Sequence, residues 1–408
     1  MTYRGRWSRA LFWDSIEGDG VEIYNEVDMA TVGVLLETAG RERRVALTPD
    51  GAERLRKQDV EVLVESGAGH RAWFEDVGYS GAGCAVGSRQ QVYAESDVLL
   101  CLHPPEDADN CRPGQLLIGL LGVLHDPGLA QRLAATGVTA VSLDLLPRTL
   151  SRAQAMDALT SQANVAGYKA ALLAAEAYPG FFPMLMTAAG TTRPAQVLVL
   201  GAGVAGLQAI ATARRLGAQV TGYDVREAAR ADLASTGAAV LDLRTPSAEA
   251  EGGYARGLTD DESQAQLHGL ARAVPRFDVV ITTAQVPGGA PPLLVTAGAL
   301  AGMRPGSVVI DLASTAEGGN VEGSVPDTRT VTDAGVTVIG AANLAATVPG
   351  AASTAYGRNL VALLASLMPG GEVVLDLDDE IQQAVVVTHG GRVVHPRVKA
   401  LFEREIRS

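Results

Sequence analysis

The first chemical signal in this sequence comes from three glycines and an aspartate. In "VLVLGAGVAG" the residues Gly201, Gly203 and Gly206 stand at GxGxxG spacing, directly after an apolar run and at the start of a helical pattern. In a pyrophosphate-binding turn the first glycine permits the tight turn and the second lets the backbone approach the phosphates. The third lets helix and strand pack closely. The helix start then presents unpaired N–H groups and the positive end of its dipole. The next run, "QVTGY", ends at Asp224, eighteen residues past Gly206. A carboxylate there accepts hydrogen bonds from the adenosine ribose and repels a 2′-phosphate, which favours NAD(H) over NADP(H). Arg226 argues the other way, because an arginine can accommodate that phosphate. The competing reading is a tight turn that binds nothing.

A second stretch, "SRAQAMDALTSQANVAGYKA" (151–170), reads as one helix. Helical spacing gathers Gln154, Asp157, Ser161, Asn164 and Tyr168 on one face, and Met156, Leu159, Ala163, Ala166 and Ala170 on another. The polar face is rich in amides and hydroxyls where a solvated helix would carry Glu and Lys. No residue stands out as a proton donor for carbonyl reduction: His103, His125 and His268 are isolated in the sequence, and Lys169 fits the helical pattern. A hydride partner that needs no proton follows from that reading.

These residues are set in two α/β series. From residue 31 the runs "TVGVLL", "VEVLVESG", "DVLLCL", "QLLIGL" and "VTAVSL" read as strands, with "TPDGAERLRKQ" and "DPGLAQRLAAT" as helices. From residue 195 a second series runs through "AQVLVL", "FDVVITTA", "GSVVIDLA" and "GVTVIG". Alternating β and α predicts parallel sheets covered on both faces. The expected fold is therefore α/β, with two Rossmann-like doubly wound domains joined by two long helices. The expected boundaries are an irregular extension over 1–28, with Met29 as an alternative start, and a first domain over 29–150 plus 369–408. A linking helix and connector follow over 151–190, then a NAD(H)-binding domain over 191–345 and a returning helix over 346–368. "AVVVTHGGRVVHP" reads as a hairpin, and the groove beside the linking helices as the expected ligand cleft.

Composition narrows the class. The 408 residues, 47% hydrophobic and 19% charged, fit two compact domains. A formal charge of −13 argues against nucleic acid or an anionic membrane surface as main partner. Apolar runs such as "LVALLASLM" are about half the length a bilayer requires, so no direct membrane insertion is expected. No signal-peptide pattern opens the chain. Three cysteines without a CxxC pair and six histidines without ligand spacing predict a reduced, cytoplasmic setting and no metal.

Seven ordered blocks resemble one family: "RERRVALTPDG", "VESGAG", "SRAQAMDALTSQANVAGYKA", "MTAAGTTRPAQVLVLGAGVAGLQAIATARRLGA", "GGYARGL", "ITTAQVPG" and "GSVVIDLASTAEGGN". Over roughly residues 30 to 400 the chain is similar to the NAD(H)-binding component, domain I, of proton-translocating NAD(P) transhydrogenase, in the alanine dehydrogenase/transhydrogenase superfamily. The resemblance implies that Gln154 and Asp157, with Arg148 before them, hold the nicotinamide ring and its carboxamide or ribose as the catalytic set. It implies cofactor contacts at Val204 in the glycine turn, at Asp224, Val225 and Arg226 around the adenosine ribose, and at Thr160, Gln266 and Gln285. Gly253 and Tyr254 match a loop that closes over NAD(H). Two departures stand out: "PRTLSRAQ" is one residue longer than the family form, and Thr160 replaces a common serine.

The function implied is direct hydride transfer between NADH and NADP⁺ bound on a partner component. The same resemblance implies a homodimer and membrane-spanning and NADP(H)-binding partner subunits, with the chain on the cytoplasmic face of the inner membrane. Two rivals remain. One is a soluble amino-acid dehydrogenase, against which stand His103 where alanine dehydrogenases carry a catalytic lysine and the neighbourhood of Gly122 where they carry a histidine. Arg44, which binds the substrate carboxylate in that family, does not discriminate. The other rival is a non-enzymatic NAD(H)-sensing module.

Overall fold

The computed structural model describes residues 29–243, 258–286 and 289–405. The chain divides into two units. One takes the chain up to Ala158 and again from Ser353 onward, and the other is Leu159–Ala352.

The first unit holds a parallel sheet of six strands, β1 (Thr31–Val34), β2 (Glu61–Glu65), β3 (Ala85–Gly87), β4 (Val98–Leu100), β5 (Leu116–Gly119) and β6 (Thr139–Ser142). Their order is β3-β2-β1-β4-β5-β6, so the winding reverses between β1 and β4. The apolar runs are continuous because both faces are covered. Val98 and Leu100 enter one buried cluster while Leu99 enters another, and Leu116, Ile118 and Leu117 divide the same way. Local chemistry sets the helices between strands. Thr48 accepts a hydrogen bond from the Gly51 amide and Pro49 follows it, opening the helix Pro49–Arg56. Ser88 and Gln91 form a capping box ahead of Arg89–Glu95.

The second unit begins with most of a helix, Ala158–Ala177, and a hairpin of β7 (Leu185–Thr187) and β8 (Gly190–Thr192). Its sheet has seven strands: β9 (Gln196–Leu200), β10 (Gln219–Tyr223), β11 (Ala239–Val240), β12 (Val279–Thr282), β13 (Val308–Asp311), β14 (Arg329–Val331) and β15 (Thr337–Gly340). The order is β11-β10-β9-β12-β13-β15-β14, and only β14 runs antiparallel to its neighbour. Val197 of β9 pairs with Val220 on one side and Val279 on the other. Val197 and Val199 fill one core, Leu198 and Leu200 the opposite one. The chain then returns through the helix Pro349–Leu367 to a hairpin of β16 (Thr388–His389) and β17 (Arg392–Val393) in the first unit. Gly390 and Gly391, at φ 58° and 75°, supply the two left-handed residues its two-residue turn needs.

The stretch 151–170 corrects the single-helix expectation. Ser151–Met156 is a 3₁₀ helix, Asp157 leaves helical geometry at ψ 88°, and the α-helix starts only at Ala158. Ala153 and Met156 are both buried, and three-residue spacing stacks them on one side of a 3₁₀ turn. Gln154 and Asp157 therefore do not share a helical face with Ser161, Asn164 and Tyr168. Further along, Asn164 donates to Gln208 Oε1 at 3.3 Å. A Cβ on Gly167 would strike the Ala205 carbonyl, so this glycine lets the helix approach the start of the next one closely.

Candidate cofactor site

The glycine turn lies where the second sheet reverses its winding, between the ends of β9 and β12, the position at which open α/β sheets take ligands. Gly201 donates its amide to the Tyr223 carbonyl at 2.8 Å and adopts φ +102°. Thr283, just past β12, donates its hydroxyl to Gly201 O at 3.2 Å and clamps the turn from the other side. A Cβ on Gly206 would collide with the Gly201 carbonyl, so that glycine is required by packing. Among the described residues Gly203 is required by neither conformation nor packing: its φ −76°, ψ −172° suits any residue, and beyond its chain neighbours a Cβ there would meet no heavy atom of theirs within 4 Å. It caps the helix Val204–Arg215, with an open face in front of the helix start. Those features fit a pyrophosphate. Val204 is partly buried behind the turn.

Asp224 follows β10 and is almost fully buried. Its Oδ2 accepts from the Ala202 amide at 2.7 Å, which ties the carboxylate to the glycine turn. Arg226 donates its backbone amide and Nε to Oδ1, each at 2.9 Å, and Nη2 to Oδ2 at 2.9 Å. Burial alone would push the Asp224 carboxyl up, but the Arg226 hydrogen bonds and the Ala202 amide outweigh it and hold the group below its ordinary range. Val225 between them is half-buried. Gln266, on the helix Asp260–Ala273, is buried and donates to the Tyr223 hydroxyl at 3.3 Å, directly behind the residue that precedes Asp224. Gln285 is exposed on the loop after β12. Gly253 and Tyr254 lie outside the described residues.

In the first unit Arg148 Nε donates to Asp157 Oδ2 at 3.3 Å, and the Asp157 amide to the Gln154 carbonyl at 3.3 Å. Arg148 and Asp157 are thus joined through their side chains and Gln154 to Asp157 through the backbone alone, with the Gln154 side chain exposed. Thr160 belongs to the second unit, half-buried in the first turn of its helix.

Sequence reasoning missed two groups. Asn320, fully buried in "AEGGN", accepts from the Ala284 amide at 3.0 Å and donates to the carbonyls of Ala284 and Pro292 at 2.9 and 2.8 Å. It pins both ends of the loop that carries Gln285. The two motifs lie 36 residues apart, and only their joint appearance in the family pattern could have signalled the contact.

The second group corrects the picture of isolated histidines. His103 Nε2 lies 2.9 Å from Glu42 Oε2 and 3.4 Å from Arg44 Nη2. Arg44 forks onto the same carboxylate through Nε at 2.8 Å and Nη2 at 2.6 Å, both residues being buried. Burial opposes the Glu42 charge, yet the Arg44 and His103 contacts hold its carboxyl well below the usual range. Glu37 accepts from the Leu102 and His103 amides at 2.6 and 3.3 Å, and burial pushes its carboxyl up. The cluster sits past the ends of β1 and β4, the winding reversal of the first sheet, beside a cavity lined by Glu37, Cys101 and His103.

Comparison with known proteins agrees with this geometry. The model described as "Alanine dehydrogenase/PNT, N-terminal domain" matches residues 33–166, and "Alanine dehydrogenase/PNT, C-terminal domain" matches 170–396. The chain is 38% identical to the "NAD(P) transhydrogenase subunit alpha" of Cereibacter sphaeroides, over 90% of this chain and 71% of that one. To the alanine dehydrogenase of Mycobacterium tuberculosis it is 34% identical over 73% of this chain and 76% of that one. The crystal structure of a transhydrogenase from Sinorhizobium meliloti superposes with a TM-score of 0.77 at 37% identity, covering 90% of this chain and 99% of that one. The chain belongs to the alanine dehydrogenase/PNT family, with a transhydrogenase alpha subunit matching it at higher identity and over more of its length than an alanine dehydrogenase does.

Proposed function

We propose that this chain binds NAD(H) at the Gly201–Gly206 turn and passes hydride directly between NADH and NADP⁺ held by a partner component. One observation carries the cofactor assignment: Gly203 is a glycine that nothing among the described residues requires, placed where a pyrophosphate needs the backbone bare. The transfer itself is supported by the relatives named NAD(P) transhydrogenase.

NADH supplies the hydride from C4 of its nicotinamide ring. Everything else asked of this chain is binding and orientation, because hydride passing between two nicotinamides needs neither acid nor base but does need close, aligned approach and exclusion of water. The amides at the helix start take the pyrophosphate and Asp224 takes the adenosine ribose, with Val204, Val225, Arg226, Thr160, Gln266 and Gln285 around them. Gln154, Asp157 and Arg148 orient the nicotinamide, with Gly253 and Tyr254 assigned to the same cofactor by resemblance alone. Among the described residues no helix is long and apolar enough to cross a membrane, and in this reading membrane-spanning partner subunits carry the proton. The chain then works at the cytoplasmic face of the inner membrane, as a homodimer. The exposed apolar side chains Phe181, Met184 and Met186, at and before the β7–β8 hairpin, support a second copy as their cover.

The second reading, an amino-acid dehydrogenase, would place its proton chemistry at the cluster of His103, Glu42 and Arg44 in the first unit, with His103 in place of the lysine of alanine dehydrogenases. Mixing the purified chain with an NADP(H)-binding transhydrogenase component separates the two. We expect hydride transfer from NADH to an NADP⁺ analogue, and no reduction of pyruvate or other oxo acids with NADH and ammonia. Robust oxo-acid reduction by the chain alone would establish the second reading instead.

A further inference from the structure

The carboxylate assigned to the ribose is already fully engaged. A carboxylate offers about four lone-pair positions, and four N–H donors converge on Asp224: one from Ala202 and three from Arg226. The guanidinium lies on the outer side of the pair, with the Arg226 side chain 22% exposed against 7% for Asp224. A group arriving from solvent therefore meets the arginine first. A guanidinium fork fits a phosphate as well as it fits a carboxylate.

We propose that Arg226 is a second specificity-determining residue of the adenosine end, a 2′-phosphate receptor held in check by Asp224. The proposal rests on the reading of the glycine turn as the NAD(H) site. It changes how NADP(H) is rejected. The charge of Asp224 is largely neutralised by Arg226, so bare repulsion of a 2′-phosphate is weak. The stronger barrier is that a 2′-phosphate can claim the guanidinium only by breaking its fork, which leaves a buried carboxylate unpaired. Such a carboxylate is costly. Ribose hydroxyls ask for a milder exchange: they are donors themselves, so where one displaces an Arg226 N–H from Asp224 the carboxylate keeps a hydrogen-bond partner and the arginine keeps the rest of its fork. Arg226 also precedes the helix Glu227–Ser235, and its backbone amide donates to the same Asp224 Oδ1 as its Nε, so the carboxylate holds the helix start and the guanidinium together.

The test uses the full chain as wild type, Asp224→Ala, Asp224→Asn, Arg226→Ala and the Asp224→Ala/Arg226→Ala double variant. NADH, NADPH, 5′-AMP and 2′-AMP are titrated against each, the two monophosphates isolating the adenosine end. Asp224→Asn retains an acceptor for the local amides and covers the case in which Asp224→Ala does not fold. Wild type is expected to prefer NADH. Removing the carboxylate is expected to weaken NADH while strengthening NADPH and 2′-AMP by roughly 10- to 100-fold, the worth of hydrogen bonds to a charged group. Adding Arg226→Ala should erase that gain, and Arg226→Ala alone should not produce it. A gain that survives in the double variant, or no gain in either single Asp224 variant of a chain whose wild type binds NADH, overturns the proposal alone. A wild type that does not bind NADH overturns the cofactor reading, and the proposal with it.

Discussion

Replacing Gly203 by alanine separates folding from cofactor binding. The backbone there already sits at φ −76°, ψ −172°, and beyond its chain neighbours the new methyl group would touch no heavy atom of the described residues within 4 Å. Two opposing effects act on stability. Alanine lowers the entropy of the unfolded chain, worth about 0.4–1 kcal/mol, but it is a poorer helix N-cap than glycine by an amount of the same order. The net change is expected to lie within about 0.5 kcal/mol of zero, read as an unmoved urea midpoint. Binding has no such compensation, because the methyl occupies the space the pyrophosphate needs. Overpacking of that kind costs about 1–3 kcal/mol, so the dissociation constant for NADH should rise roughly 5- to 150-fold. Gly206→Ala is the contrasting control: its Cβ would meet the Gly201 carbonyl and come within 3.1 Å of Thr283 Oγ1, so stability itself should fall. Calorimetric titration of NADH beside urea unfolding reads both quantities. A stable Gly203→Ala chain with wild-type NADH affinity would refute the argument that the second glycine is kept bare for the phosphates.

Three further outcomes are expected. Gln154→Ala should leave NADH affinity within about threefold of wild type while slowing hydride transfer to the partner's NADP⁺ by about 100-fold, measured by stopped-flow absorbance, since only ring alignment is lost; an unchanged transfer rate would return Gln154 to an ordinary surface position. Asn320→Ala should destabilise the chain by about 1–3 kcal/mol, because three backbone groups lose their partner together, and a urea midpoint equal to wild type would count against the pinning of the 284–292 loop. Asp107 hydrogen-bonds Arg89 and is thereby held down at about 2, against an ordinary value of 3.8, with Tyr93 adding to the effect. A depressed carboxyl stabilises the fold above its unfolded value and loses that contribution as pH falls through the folded one. The stability difference between wild type and Asp107→Asn should accordingly be constant above about pH 5 and shrink between 3.8 and about 2; a difference that does not change with pH would show the pair contributes nothing.

The sequence by itself determined whatever depends on short-range rules. The alternation of strand and helix reads as two parallel sheets because buried strands need continuous apolar runs, and β4, β5 and β9 carry them. The glycine turn is legible because positive φ at Gly201 and contact at Gly206 follow from a six-residue spacing. Tertiary structure decided three other things. It broke the 151–170 helix at Asp157, since burial of Ala153 and Met156 is a property of the surrounding core, and helical periodicity gives the phase of a pattern but not its interruptions. It joined His103 to Glu42 across 61 residues and Asn320 to Ala284 across 36, pairings set by which strand ends lie side by side in a doubly wound sheet. It also turned Arg226 onto Asp224. Both residues stand in plain view two positions apart, but their side-chain directions are fixed by the end of β10 and by the Ala202 amide reaching over from the neighbouring turn. Local spacing names the donors and acceptors, and their partners are chosen by the packing that brings distant strand ends together.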